Sequence, residues 1–235
     1  MEISVIVPAY NEEKRILKTL ENIYKYFKNR NLAFEIIVVD DGSKDKTVEI
    51  VNKFADGKNE IKIIKHEKNL GKGAAVKTGV LNASGNLILF TDADLSTPIE
   101  EFEKLEKKIK EGYDIAIGSR GLKDSKIIIP QPLFRRIVGK IFPLLVRLLI
   151  IKDFRDTQCG FKLFKKETKK IFEELKTNGF AFDVEFLARG KKEGYKIAEV
   201  GVVWYNSPES KVSLLKSPLK MLIELKKIKN YLNLK

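Results

Sequence analysis

Short, nearly continuous apolar runs alternate along the chain with longer segments whose apolar positions recur at helical spacing. Five such runs, rich in β-branched side chains, lie at residues 3–7, 35–39, 61–65, 87–90 and 115–117. Runs of this kind are typical of parallel strands buried on both faces. Helices are predicted between them, at residues 13–28, 47–55, 73–83 and 100–112. The pattern therefore predicts an α/β fold, with a doubly wound, Rossmann-like and mostly parallel sheet flanked by helices.

Polar loops directly follow three of the predicted strands. They lie at residues 8–12, 40–45 and 92–97. Ligands of open α/β sheets bind outside the carboxyl ends of the strands. We therefore expect these loops to form one binding crevice.

Asp92 and Asp94 lie one residue apart in the turn after the fourth run, ahead of a helix start at Thr97-Pro98. A carboxylate pair in such a turn suits a hard divalent cation, Mg²⁺ or Mn²⁺, whose remaining ligands are water and diphosphate oxygens. The structural alternative is a turn whose aspartates only cap the next helix. Together with the other loops, the pair favours a metal and diphosphate site.

Asp40 and Asp41 end the second run, and one of these carboxylates is expected to accept hydrogen bonds from a nucleobase or a ribose. Residues 69–73, Asn-Leu-Gly-Lys-Gly, precede the third helix, where backbone N–H groups and Lys72 favour an anion. This segment matches neither the Walker A pattern nor G-x-G-x-x-G. The sequence thus disfavours a P-loop NTPase and a nicotinamide enzyme.

Composition narrows the chemistry further. A single cysteine, Cys159, excludes an internal disulfide, and a single histidine, His66, excludes a multi-histidine zinc site. We expect both residues, and Trp204, to serve packing. The formal net charge of +13 favours anionic partners without choosing among them.

Two segments, 123–152 and 211–235, each hold seven basic residues against one acid and carry amphipathic helical patterns. We expect them to lie on an anionic membrane, with packing on the core as the alternative. The longest apolar stretch, 141–151, is too short to span a bilayer, and the N-terminus does not resemble a signal peptide. The sequence predicts a cytoplasmic protein, peripheral on the inner face of the membrane and not secreted.

Several motifs together carry a family resemblance. The segments 7–12 (VPAYNE), 39–43 (VDDGS), 69–73, 92–94 and 118–120 (GSR) resemble the inverting family 2 glycosyltransferases of GT-A fold, over roughly residues 1–165. The segments 156–164 (DTQCGFKLF), 180–185 (FAFDVE) and 203–204 are similar to the dolichyl-phosphate β-glucosyltransferase branch. Ser96 stands where related mannosyltransferases often carry glutamine, which leaves the sugar donor open.

The resemblance implies roles for individual residues. It assigns nucleotide-sugar binding to Pro8, Tyr10, Glu12, Asp41 and Asp92. Asp40 and Lys72 are added to this set by their places at a strand end and a helix start. The resemblance assigns the metal and the diphosphate to Asp92 and Asp94 and places Arg120 near the reacting phosphates, so Asp94 and Arg120 are expected to be catalytic. Asp156 joins them as the candidate base for a hydroxyl acceptor. Candidate cations for the acceptor phosphate are Arg120, Arg135, Arg136, Lys140 and Lys162. We expect a GT-A domain at residues 1–210, which includes the amphipathic segment 123–152, and a basic amphipathic helix at 211–235.

The expected reaction is transfer of a hexose, from UDP-glucose above all, to a dolichyl or polyprenyl phosphate with inversion. A phosphate monoester is already ionised at neutral pH and attacks without a general base. UDP-N-acetylglucosamine or GDP-mannose as donor, or a sugar hydroxyl as acceptor with Asp156 as base, remain alternatives. A non-catalytic module for RNA or membranes is a distant one, because the basic clusters lack interleaved stacking aromatics. Nucleic acid is not an expected partner.

Overall fold

The computed structural model describes residues 1–129, 142–206 and 216–233. Seven strands of this part of the chain form the central sheet: β1 (Ile3–Ala9), β2 (Phe34–Asp40), β3 (Ile61–Lys65), β4 (Leu87–Thr91), β5 (Ile115–Ser119), β7 (Phe161–Lys165) and β8 (Ile197–Gly201). Their order is β3-β2-β1-β4-β7-β5-β8. Two further strands, β6 (Lys126–Ile129) and β9 (Val203–Tyr205), pair in parallel as a separate ribbon.

Helices connect the strands and cover both faces of the sheet. They are α1 (Ile16–Asn29), α2 (Thr47–Ala55), α3 (Lys72–Leu81), α4 (Phe102–Lys110), α5 (142–149), α6 (Lys169–Glu174), α7 (Phe182–Lys192) and α8 (Lys216–Tyr231). The five predicted strands are confirmed as β1 to β5, and α2 begins and ends at the predicted residues. The predicted α/β fold with a mostly parallel sheet is confirmed.

Strand β7 is the exception to parallel order, and the apolar pattern alone did not predict it. It lies between β4 and β5 and runs antiparallel to both. Its first residue, Phe161, therefore pairs with Thr91, the last residue of β4. This reversal brings the loop before β7 to the same edge as the loops that follow the parallel strands.

The core consists of two apolar layers, one on each face of the sheet. The first layer holds Leu20 and Phe27 of α1 and Phe102 of α4, all fully buried. The second layer holds Phe172 of α6 and Phe186 of α7, together with α3, α5 and α8. Side chains of successive strand residues enter opposite layers, which explains why the strands are apolar throughout.

The two amphipathic segments contribute to the second layer. Met221, Leu225 and Ile228 of α8 are buried there, so this side of the C-terminal helix packs on the core. In α5, Val146 is buried while Leu148 is 71% exposed. The part of the amphipathic segment 123–152 at residues 130–141 lies outside the described residues. Within the described ranges, no helix has both the length and the hydropathy needed to cross a membrane.

Candidate active site

Hydrogen bonds join the loop after β1 to the loop after β2. The backbone N–H of Asn11 donates to Ser43 Oγ at 2.8 Å, and the N–H of Lys44 donates to Asn11 Oδ1 at 2.8 Å. Asn11 adopts a φ of 55°, a conformation that asparagine tolerates better than most residues. The two loops thus form one wall of a crevice at the carboxyl edge of the sheet.

Asp41 joins the second loop to the third. It is 3% exposed, and its carboxylate accepts the N–H groups of Leu70 and Gly71 at 2.9 and 2.8 Å. His66 Nδ1 lies 2.7 Å from Asp41 Oδ1, and His66 Nε2 lies 3.0 Å from Thr78 Oγ1. Asp41 therefore anchors the loop before α3, and His66 is part of that anchor instead of a simple packing residue.

Asp40 has an unsatisfied buried oxygen. Its Oδ2 accepts the N–H of Ser43 at 3.1 Å, whereas Oδ1 has no hydrogen-bond partner among the described residues. Leaving a buried polar oxygen unpaired is costly, so such an atom points to a ligand that supplies the donor. Asp40 is in register with Ala9, next to Pro8 and the exposed Tyr10. The structure thus places Pro8, Tyr10 and Asp40 at adjacent strand ends, where the sequence predicts nucleotide binding.

Lys72 connects the third loop to the carboxylate pair. Its Nζ lies 2.6 Å from Asp92 Oδ1. Burial lowers the pKa of Lys72, but the negative charges of Asp92, Asp183 and Asp94 outweigh burial, and the net shift is upward. The ammonium is held in its charged form beside the carboxylate. Gly71, with a φ of 107°, makes this turn possible because an L side chain there would be strained.

Asp94 is linked across the crevice to Glu12. Arg15 Nη1 lies 3.4 Å from Asp94 Oδ2, and Arg15 Nε donates to Glu12 Oε2 at 2.7 Å. Asp94 Oδ1 also accepts the N–H of Ser96 at 3.0 Å. Arg15 is a residue of the site that the sequence reasoning missed. Its signal was its place three residues after Glu12, directly before α1.

The carboxylate pair fits a divalent cation whose other ligands come from a substrate. Thr19 Oγ1 donates to Ala93 O at 2.7 Å and holds the turn, and a Cβ on Gly160 would collide with the Asp92 carboxylate. Within the described residues, no group of three or more His, Cys, Asp or Glu side chains is placed to hold a metal. Two carboxylates with open positions match Mg²⁺ or Mn²⁺ bound together with a diphosphate.

Arg120 directly follows β5 and forms a two-point ion pair with Asp156. Its Nε donates to Asp156 Oδ2 at 2.6 Å and its Nη2 donates to Oδ1 at 2.9 Å. Burial raises the pKa of Asp156, but Arg120 outweighs burial and lowers that pKa to about 2. The guanidinium carbon lies 5.4 Å from the Trp204 ring centre. Trp204 is partly exposed, so the expectation that it belongs to the core was wrong.

Lys162 does not reach the crevice surface. It is 1% exposed, lies 2.7 Å from Asp183 Oδ1 and donates to Cys159 O at 2.5 Å. The structure thus places it inside the protein, in contrast to its predicted role at the acceptor phosphate. Cys159 is buried as expected, and burial raises the pKa of its thiol to about 11. The other predicted acceptor cations, Arg135, Arg136 and Lys140, lie outside the described residues.

Comparison with known proteins identifies the family. The model of glycosyl transferase family 2 matches residues 4–172. A dolichyl-phosphate β-glucosyltransferase of Dictyostelium discoideum is 38% identical, over 97% of this chain and 73% of the relative. The human dolichyl-phosphate β-glucosyltransferase is 37% identical, over 90% of this chain and 69% of the relative.

Solved structures agree on the fold. Glucosyl-3-phosphoglycerate synthase of Mycobacterium tuberculosis, in complex with Mn²⁺, UDP-glucose and phosphoglyceric acid, superimposes with a TM-score of 0.69 at 20% identity, over 97% of this chain and 80% of that one. At this identity the likeness concerns the fold alone. The match of the family model and the identity to the relatives show that the chain belongs to glycosyltransferase family 2 and has its GT-A fold.

Proposed function

We propose that the chain transfers glucose from UDP-glucose to dolichyl phosphate, with inversion at the anomeric carbon. The relatives named as dolichyl-phosphate β-glucosyltransferases support the acceptor and the sugar. UDP-glucose in a protein of the same fold supports the donor. The observation that carries the proposal is the ion pair of Asp156 with Arg120. Arg120 supplies a cation for a phosphate in the crevice, and Asp156, which is held by Arg120, does not serve as a proton acceptor.

The donor is bound along the crevice wall. Asp40 Oδ1 accepts the uracil N–H, and Pro8, Tyr10 and Glu12 contact the base and ribose. The N-terminus of α3 attracts the diphosphate. Asp92 and Asp94 hold a Mg²⁺ or Mn²⁺ ion, which neutralises negative charge on the diphosphate when it is bound.

The acceptor phosphate is held by Arg120. Asp156 orients the guanidinium by its two contacts and stays ionised, so it serves Arg120 and does not act as a general base. An oxygen of the acceptor phosphate attacks C1 of glucose from the face opposite to UDP. The bond from C1 to the diphosphate oxygen breaks, its electron pair leaves with UDP, and the α-linked donor gives a β-linked lipid phosphosugar. Positioning supplies much of such a rate enhancement.

A lipid acceptor requires contact with a membrane surface. Three consecutive isoleucines of β6, Ile127, Ile128 and Ile129, are 50%, 51% and 48% exposed, and Leu144 and Leu148 of α5 are exposed too. Apolar side chains within a basic segment suit an anionic lipid surface. We propose that this region contacts the inner face of the membrane and that the protein is peripheral there.

Transfer of radiolabel into dolichyl phosphate tests the proposal. UDP-glucose, UDP-N-acetylglucosamine and GDP-mannose are supplied in turn, with and without EDTA, to the wild type and to Asp94→Ala. We expect labelled lipid from UDP-glucose alone, lost with EDTA and in the variant. Labelled lipid from another donor would mean that the protein transfers a different sugar. No labelled lipid from any donor, despite UDP binding, would refute a lipid phosphate as the acceptor.

A further inference from the structure

Four charged side chains alternate in sign from the carboxylate turn into the protein interior. Lys72 Nζ lies 2.6 Å from Asp92 Oδ1. Asp183, the second residue of α7, interacts electrostatically with both Lys72 and Lys162. The ammonium groups of Lys72 and Lys162 lie 5.4 and 5.6 Å from the centre of the same ring, Phe90. Both lysines of the series Asp92, Lys72, Asp183, Lys162 therefore lie close to Phe90.

Asp183 has unused capacity to accept a hydrogen bond. It is 2% exposed, and its Oδ1 lies 2.7 Å from Lys162 Nζ. This contact is an ion pair, and Oδ1 has no other partner among the described residues. Burial raises the pKa of Asp183, with Lys162 and Lys72 acting in the opposite direction. A further cation close to this carboxylate would be stabilised.

A divalent cation coordinated by Asp92 would share that carboxylate with the Lys72 ammonium. A cation at Asp92 would stand close to the Lys72 ammonium and repel it. The lysine side chain is a flexible four-carbon stem with three donors, so it can change partner without movement of the backbone. Among the acids near Lys72, Asp183 is the one on the interior side, away from the carboxylate pair.

We propose that Lys72 competes with the divalent cation for Asp92, and that Asp183 is a positioning residue that receives the Lys72 ammonium when the cation binds. The inference rests on the proposed function, because it takes Asp92 and Asp94 as the cation site. Under this inference, Lys72 and Asp183 set the affinity for the cation although neither of them coordinates it. Lys72 neutralises the charge of Asp92 until the cation binds. Asp183 then lowers the free-energy cost of moving the Lys72 ammonium away from Asp92.

Binding of Mn²⁺ to the protein without nucleotide or lipid tests this inference. Free Mn²⁺ is measured by electron paramagnetic resonance for the wild type, Lys72→Met, Asp183→Asn and the double variant. We expect Lys72→Met to bind Mn²⁺ about tenfold more tightly, since it removes a partly buried competitor. We expect Asp183→Asn to bind several-fold more weakly, and the double variant to match Lys72→Met, because without Lys72 there is no ammonium for Asp183 to receive.

Two controls separate the possible failures. Lys68→Met removes the same charge from an exposed site four residues away and is expected to leave the Mn²⁺ affinity unchanged. Asp94→Ala is expected to abolish binding. If Asp94→Ala binds like the wild type, the proposed cation site itself is wrong. If binding needs Asp94 but Lys72→Met binds no more tightly than the wild type, only the competition is refuted.

The remaining outcomes also decide the question. If the wild type binds Mn²⁺ too weakly to measure but Lys72→Met binds it, the competition is supported. If neither protein binds Mn²⁺, the competition is refuted. If Asp183→Asn weakens Mn²⁺ binding equally in the wild type and in Lys72→Met, Asp183 does not act by receiving the Lys72 ammonium. Circular dichroism checks that Asp183→Asn folds, and Lys72→Met tests the competition independently of it.

Discussion

Arg120 and Asp156 meet through two contacts, Nε to Oδ2 at 2.6 Å and Nη2 to Oδ1 at 2.9 Å, at the edge where β5 ends. The backbone N–H of Arg120 also donates to Asp156 Oδ2 at 3.0 Å. A guanidinium fork held in this way presents its remaining N–H groups in one direction. The arrangement suits a residue that orients a phosphate.

Replacing Arg120 by lysine should separate charge from geometry. Arg120→Lys keeps a cation but loses the fork, so we expect kcat to fall by about 10- to 100-fold, with a smaller change in the KM for UDP-glucose. Steady-state kinetics with varied donor and acceptor measure both. Arg155→Lys, at an exposed neighbouring position, is the matched control. An unchanged kcat in Arg120→Lys would contradict phosphate orientation by this residue.

Asp156→Asn should distinguish an orienting carboxylate from a general base. The ion pair lowers the pKa of Asp156 to about 2, so the group remains ionised from pH 5 to pH 9 and contributes no ionisation step there. We expect the variant to lose activity while the shape of its pH profile matches the wild type. Asp153→Asn, an exposed acid nearby, is the control. An acidic limb present in the wild type and absent from Asp156→Asn would favour the hydroxyl acceptor.

Glu35 should stabilise the fold in a pH-dependent way. It accepts hydrogen bonds from Ser4, Ser84 and Lys62, and these outweigh burial and lower its pKa from 4.5 to about 2. A carboxyl with a lowered pKa stabilises the fold above its unfolded pKa, and the contribution is lost as the pH falls toward 2.

Glu35→Gln should therefore lower Tm at pH 7 by several degrees, as expected for about 2 kcal/mol. The difference from the wild type should shrink between pH 5 and pH 2. Thermal melts at several pH values measure it, with the exposed Glu67→Gln as control. A difference that stays constant down to pH 2 would mean that the ionised form of Glu35 adds nothing.

Gly160→Ala should damage the carboxylate turn more than the fold. A Cβ at this position would collide with the Asp92 carboxylate. We expect loss of Mn²⁺ and UDP-glucose binding, measured by calorimetry, with a modest change in Tm. Gly57→Ala is a useful contrast, because Gly57 has a φ of 70° and open space around it. That variant should lose about 1 kcal/mol of stability and keep its donor affinity.

Core packing of α8 can be tested by two substitutions on opposite sides of the helix. Leu225 is 1% exposed and Leu222 is 39% exposed. Leu225→Ala should destabilise the protein by about 2–5 kcal/mol, whereas Leu222→Ala should cost far less. Urea unfolding measures both. Equal effects would mean that the helix does not pack on the core as the structure describes.

Local pattern determined much of this protein before any tertiary contact was known. Runs of β-branched residues specified β1 to β5, because a strand buried on both faces must be apolar at every position. Short motifs at strand ends identified Asp40, Asp92 and Asp94, because a sheet of this class brings its carboxyl edge together. The family resemblance, carried by the same motifs, was confirmed.

Tertiary structure alone decided which charged side chains face one another. Lys162 and Arg120 are both cations in family motifs. Lys162 is 1% exposed and pairs with Asp183 inside the protein, whereas Arg120 lies in the crevice and pairs with Asp156. In the register of β7 with β4, Lys162 lies opposite Phe90, so both side chains are on the same face of the sheet, and Lys162 is buried there. Sequence spacing specifies the local conformation of a residue. The partners of a charge depend on strands and helices distant in the chain, and those were visible only in the fold.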